Sequence, residues 1–224
     1  MGRRLVVLVV AVLALAACGG GAGSKSNGEA GKSAARVIAD AQAAAAGATI
    51  AHVTGAGRDN NQPLRLDLWI GKAKAKGTLV ENGLSFQLIR IGDVIYIKGS
   101  DAFLKKFAGA TAVTLFHGRW LKSSATSGEL AALAPLTDLQ TFFKGILGQH
   151  GKVVNKGETT FKGQKAVEIR DTTQSGSLFV AATGPAYPLG LAGKAQHGNV
   201  TFADWDADVA IAAPKNAVDL SKLP

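Results

Sequence analysis

The stretch LRLDLWI, residues 64–70, places Leu64, Leu66, Leu68 and Ile70 on one face of an extended chain and Arg65, Asp67 and Trp69 on the other, because successive side chains of a strand point to opposite sides. A helix would scatter the same residues around its circumference, so the spacing commits the segment to a half-buried strand. Similar runs surround it: TIAHVTGAG (49–57), AKAKGTLV (73–80), LSFQLIRI (84–91) and VIYIKG (94–99), separated by RDNNQP, Gly71, ENG and GD. Short alternating runs punctuated by turn residues predict an antiparallel meander of about five strands.

The period changes on both sides of this block. SAARVIADAQAAAAGA (33–48) has Ser33 placed as an N-cap and Gly47 as a stop, which reads as one helix. SDAFLKKFAG (100–109) offers Ser100 as a cap and sets Phe103, Leu104 and Phe107 on one side of a helix. In TDLQTFFKGILG (137–148), Leu139, Phe142, Phe143, Ile146 and Leu147 recur at helical spacing, with Thr137 as cap and Gly148 as stop. Between these two, RWLKSS (119–124) reads as a short extended piece and GELAALAPL (128–136) as a brief helix ended by Pro135. Short turn-bounded runs resume from 151 to 205, and a tail, VAIAAPKNAVDLSKLP, closes the chain. This order predicts a single α+β domain, with one large antiparallel sheet and helices gathered on one face. The roughly 190 residues from Ala34 onward are enough for one substantial core.

The N-terminus carries a different signal. Arg3 and Arg4 precede an apolar run, Leu5–Leu15, that ends in Ala16 and Ala17. That is the outline of a secretory signal peptide over residues 1–17; spanning a bilayer takes about 20 apolar residues. The next residue is Cys18, the chain's one cysteine, in the sequence LAAC. LAAC resembles a bacterial lipobox, and the resemblance implies cleavage before Cys18 and lipid attachment to its thiol. A lone cysteine has no partner for an internal disulfide. Residues 19–33, GGGAGSKSNGEAGKS, hold six glycines and three serines. We therefore read residues 18–33 as the lipidated cysteine and a flexible tether, with the domain at 34–224, held on the extracytoplasmic face of the cell membrane.

The chain has 25 Lys and Arg against 16 Asp and Glu; cleavage before Cys18 removes Arg3 and Arg4 and leaves a net +7. A positive balance suits an anionic lipid surface or ligand and equally a merely solvated basic surface. Nucleic acid is not expected, since no basic run is interleaved with aromatics. His52, His117, His150 and His197 stand far apart without metal-ligand spacing. No GxSxG, SxxK, P-loop or GxGxxG is present, so no catalytic residue, metal or cofactor is assigned and no enzyme is expected. DWDAD (204–208) lacks the glycine and ligand spacing of a calcium loop and reads, around Trp205, as the edge of a strand with its polar residues outward.

The segments ATIAHVTGAG, RIGDVIYIKG with Tyr96 and Lys98, GRWLKSS around Trp120, ETTFKGQKAVEIRDT, ATGPAYPLGL with Pro185 and Pro188, and GNVTFADWDADVAIAAP ending at Pro214 together resemble the LppX/LprA/LprF/LprG lipoproteins of the actinobacterial envelope. That family is related in shape to the carrier LolA and the sensor RseB. The resemblance implies a curved half-barrel sheet wrapped on helices, with a hydrophobic cavity for acylated lipids or glycolipids. Its motifs mark no cavity residues to carry over. Strand and helix periodicity suggest walls from Leu66, Leu68, Phe86, Leu88, Phe103, Phe107, Phe142, Phe143 and Ile146, positions that plain core packing would equally use.

Three functions follow as expectations. The leading one is a membrane-anchored lipid or glycolipid carrier, working with a membrane transporter as a further partner. A protein-interaction or sensory lipoprotein of RseB-like architecture without lipid cargo is the second. An envelope hydrolase is the third, and it requires a polar constellation that the sequence lacks.

Overall fold

The computed structural model describes residues 25–59, 62–193 and 198–223. The expected signal peptide, Cys18 and His197 lie outside the described residues.

Helix α1 (Ala34–Gly47) begins where the Ser33 hydroxyl accepts the Arg36 amide, the predicted cap. A meander follows: β1 (Ile50–Asp59), β2 (Gln62–Gly71), β3 (Lys74–Glu81), β4 (Leu84–Ile91) and β5 (Val94–Gly99). Then come α2 (Asp101–Phe116), β6 (Leu121–Ser124), a 3-10 turn at Ala131–Thr137 and α3 (Leu139–Gly148). A second meander holds β7 (Val153–Phe161), β8 (Gln164–Asp171), β9 (Ser177–Ala181), β10 (Pro188–Ala192) and β11 (Asn199–Ala203), and β12 (Val218–Asp219) ends the sheet.

The twelve strands of the described residues form one open sheet in the order β12-β6-β5-β4-β3-β2-β1-β11-β10-β9-β8-β7. It is antiparallel except where β12 runs parallel to β6. The two meanders join at β1 and β11, in register from His52 opposite Ala203 to Ala56 opposite Asn199. This is the predicted α+β domain, a curved half-barrel sheet with helices on its concave side.

Alternation aims the apolar residues at that side. In β2, Leu68 and Ile70 are buried while Asp67 is exposed. One core packs α1 and α3 against both meanders through Val37, Val53, Leu68, Phe143, Ile169 and Phe202. A second lies under α2 and the turn before α3, built from Phe86, Leu88, Ile95, Ile97, Leu104 and Leu121. Each fully buried Leu or Phe contributes about 1.5–3 kcal/mol. Gly77 presses the backbone of β3 onto β2: a Cβ there would collide with the Asp67 carbonyl oxygen and lie 2.8 Å from Leu68 Cα.

Four local expectations change. Residues from Ser26 onward, expected within the tether, are bound to the sheet: Ser26 bridges Thr183, and the Asn27 side chain donates to the carbonyls of Ala181 (2.8 Å) and Gly184 (3.1 Å). Asn155 Nδ2 then holds the carbonyls of Glu29, Ala30 and Lys32, the last at 2.8 Å. A Gly/Ser composition signals a linker, but it does not reveal distant groups that capture its backbone. The cap of α3 is Asp138, whose carboxylate accepts the Thr141 amide at 2.9 Å. Thr137 is buried at the end of the preceding turn and donates to Ala134 O instead. Pro135 sits within that 3-10 turn rather than ending it. Helix α2 continues past 109 to Phe116, broken at Gly109, whose φ of 84° only glycine adopts readily.

Candidate functional site

Between α1, α3 and the concave face of the second meander lies a groove of about 580 Å³. Ile38 of α1 and Ile146 and Leu147 of α3 form its roof, and Val153, Ile169, Leu178, Leu191 and Val200 form its floor, one from each of β7 to β11. The floor residues share a face because register and alternation coincide: Ile169 stands opposite Leu178, and Leu178 opposite Leu191. An apolar hollow of this size falls within the range of small-molecule sites.

Its rim is polar: Gln149, His150, Asp171 and Gln174 surround the opening with Gly176, Gly193 and Gly198. Asp171 is the fixed point. Its Oδ1 accepts the amides of Gln174 (2.8 Å) and Thr173 (2.7 Å), and its Oδ2 accepts the Gly151 amide at 2.6 Å. Those donors, Gln174 and Gly151 foremost, hold its carboxyl below the usual range. One carboxylate therefore ties the turn after β8 to the segment leaving α3. The N-terminal segment enters elsewhere: β9 starts at the rim with Ser177 and ends at Ala181, beside the Ser26–Thr183 bridge.

The nine residues expected to wall one cavity do not converge. Ile146 alone of them lines the groove. Leu68 and Phe143 are fully buried in the first core, and Leu66 and Phe142 pack against it. Phe86 and Leu88 belong to the second core, with Phe103 packed against it. Phe107 is 65% exposed. A twelve-strand sheet is wide enough for two cores, and the phenylalanines of α2 and α3 serve different ones. The groove residues missed from the sequence, such as Ile169, Leu178 and Val200, alternate as clearly as Leu66 and Leu68. Which strands lie beneath α1 and α3 is set by the β1–β11 junction, which the sequence does not reveal.

Two of the three carboxylates of DWDAD make structural bonds: Asp204 with His52 (3.2 Å), and Asp206 with Thr49 and Tyr187. Among the described residues no group of three or more His, Cys, Asp or Glu side chains is placed to hold a metal, and no helix is long and apolar enough to cross a membrane.

The chain aligns with the crystal structure of LprF from Mycobacterium bovis at a TM-score of 0.52 and 14% identity, over 81% of this chain and 96% of that one. The fold is that of LprF. An uncharacterized conserved protein from Thermus thermophilus aligns at a TM-score of 0.40 and 10% identity, over 84% of this chain and 98% of that one. No protein-family model matches the chain, and no curated protein matches it. In this LprF-like fold, the resemblance read from the sequence and the architecture agree.

Proposed function

We propose that this chain is a membrane-anchored envelope lipoprotein that takes acylated lipids or glycolipids into the groove between α1, α3 and β7–β11 and carries them through the envelope, tethered through Cys18. The groove carries the reading: it is apolar in its depth, polar at its rim, and bounded by helices on one side and a continuous sheet on the other. Moving a sixteen-carbon chain into water costs on the order of 13 kcal/mol at about 0.8 kcal/mol per methylene, and an apolar groove removes much of that barrier. A polar rim suits a headgroup left in solvent. The rim's one carboxylate, Asp171, is committed to three backbone amides that hold the loops, so the chemistry favours binding over hydrolysis.

Mass spectrometry of organic extracts of the purified chain tests this directly. Acylated lipid is expected at near one equivalent, and Leu178→Trp, which fills the floor, is expected to remove it while the thermal midpoint stays close to wild type. A chain that carries no lipid from its native envelope and takes up none from vesicles overturns the reading. One observation favours the protein-interaction alternative: Phe107 (65%) and Leu115 (54%) are exposed on α2, and exposed large apolar side chains mark contact surfaces. A membrane-protein partner captured through α2 by a lipid-free chain would establish that alternative.

A further inference from the structure

The convex face of the first meander carries a trough unrelated to the groove, with a row of polar side chains running along apolar and aromatic walls. Register places Thr201 beside Thr54, Thr54 beside Asp67, Asp67 beside Thr78, Thr78 beside Gln87 and Gln87 beside Lys98. These six form one row across six strands, about 24 Å long at 4.8 Å per strand. They face away from the helices, since their sequence neighbours Phe202, Val53, Leu68, Leu88 and Ile97 are buried in the two cores. Three hollows of about 510, 230 and 240 Å³ lie along the row, and Thr78 lines all of them.

The middle hollow is flanked by Trp69 and Trp120. Trp69 is held rigidly: its ring stacks on His52 at 4.2 Å and 2°, and the two His52 nitrogens face Asp67 Oδ1 (2.8 Å) and Asp204 Oδ2 (3.2 Å). Arg65, Lys76, Lys98 and Lys162 line the same hollows. Lys162 donates to Thr201 Oγ1 and Lys76 to Ala210 O. Among the described residues none of the four forms an ion pair, while the row's one carboxylate, Asp67, is engaged by His52.

We propose that this trough binds an acidic oligosaccharide chain laid across the strands. Sugar rings stack their C–H faces on tryptophan, their hydroxyls match Thr54, Thr78 and Gln87, and carboxylate or phosphate substituents meet Arg65 and Lys98. A peptide finds no free strand edge here, because every strand of the row is paired on both sides. A bilayer finds no exposed large apolar side chain in the trough. The site is independent of the lipid-carrier reading.

Tryptophan fluorescence and calorimetry of the full chain in mild detergent, titrated with hexagalacturonate, maltohexaose and polyphosphate, test the proposal. Saturable binding of hexagalacturonate is expected. The double variant Arg65→Glu/Lys98→Glu and, separately, Trp120→Ala should each weaken it by about tenfold. Gln87→Ala, which removes a surface amide with little bearing on folding, should weaken it several-fold. The neutral maltohexaose should bind more weakly, and polyphosphate should be insensitive to Trp120→Ala. Absence of saturable hexagalacturonate binding, or binding unchanged in Gln87→Ala and in the double variant, overturns the proposal. So does a polyphosphate affinity equal to that of hexagalacturonate with both insensitive to Trp120→Ala, which would mark a merely cationic surface.

Discussion

Tyr187 donates its hydroxyl to Asp206 Oδ2 at 2.5 Å, while Asp206 Oδ1 accepts the Thr49 amide at 2.6 Å. The Tyr187 bond, ahead of the others, holds the Asp206 carboxyl below its ordinary 3.8, and the same bond pushes the phenol up to about 12. Each shift is a stability contribution with its own pH window. The depressed Asp206 contributes above pH 3.8, and its contribution fades as the pH falls through its folded value. The raised Tyr187 contributes below pH 10 and fades as the pH climbs toward 12. Tyr187→Phe is therefore expected to lower stability by about 1 kcal/mol at pH 7, a figure reduced for the exposure of Asp206. The loss should shrink both as the pH falls from 3.8 and as it climbs from 10 toward 12, as urea midpoints across that range would show. Gly77 is a residue of another kind. Gly77→Val should destabilise by roughly 3 kcal/mol or more, because the obstruction is the backbone of β2, which has no rotamer to yield.

At the scale of elements, α2 and α3 look alike in sequence and differ in use. Both present phenylalanines at helical spacing, yet Phe143 is 1% exposed, with its ring 4.9 Å from Phe202, while Phe107 is 65% exposed. Phe143→Ala should cost about 3–5 kcal/mol and Phe107→Ala under about 0.5 kcal/mol, measured by chemical denaturation. The helix period was legible because it depends on spacing along one chain. The depth of burial was not, because it depends on what lies opposite. The N-terminal segment makes the same point for a loop. Asn155→Ala should release residues 29–32, seen as faster amide exchange and earlier proteolysis there, while exchange in α3 stays unchanged.

At the scale of the whole molecule, one sheet serves two cores and two faces, and the β1–β11 ladder is its seam. Amide exchange should be slowest along β1, β2 and β11 and fastest in the short edge strand β12, since a central ladder opens only when the sheet does. Exchange at β1 no slower than at β12 would mean that the two meanders unfold independently. Much of this arrangement was already written in the sequence. Alternation in LRLDLWI and its neighbours determined strands and their apolar faces, and the caps Ser33 and Ser100 determined where helices begin, because those signals act between residues close in the chain. Tertiary structure decided the rest: that Asn199–Ala203 pairs with Ile50–Asp59, that the groove lies over the second meander, and that Thr201, Thr54, Asp67, Thr78, Gln87 and Lys98 fall into line. Those outcomes depend on which distant strands meet and in what register, and period-two alternation is the same for every partner a strand could choose.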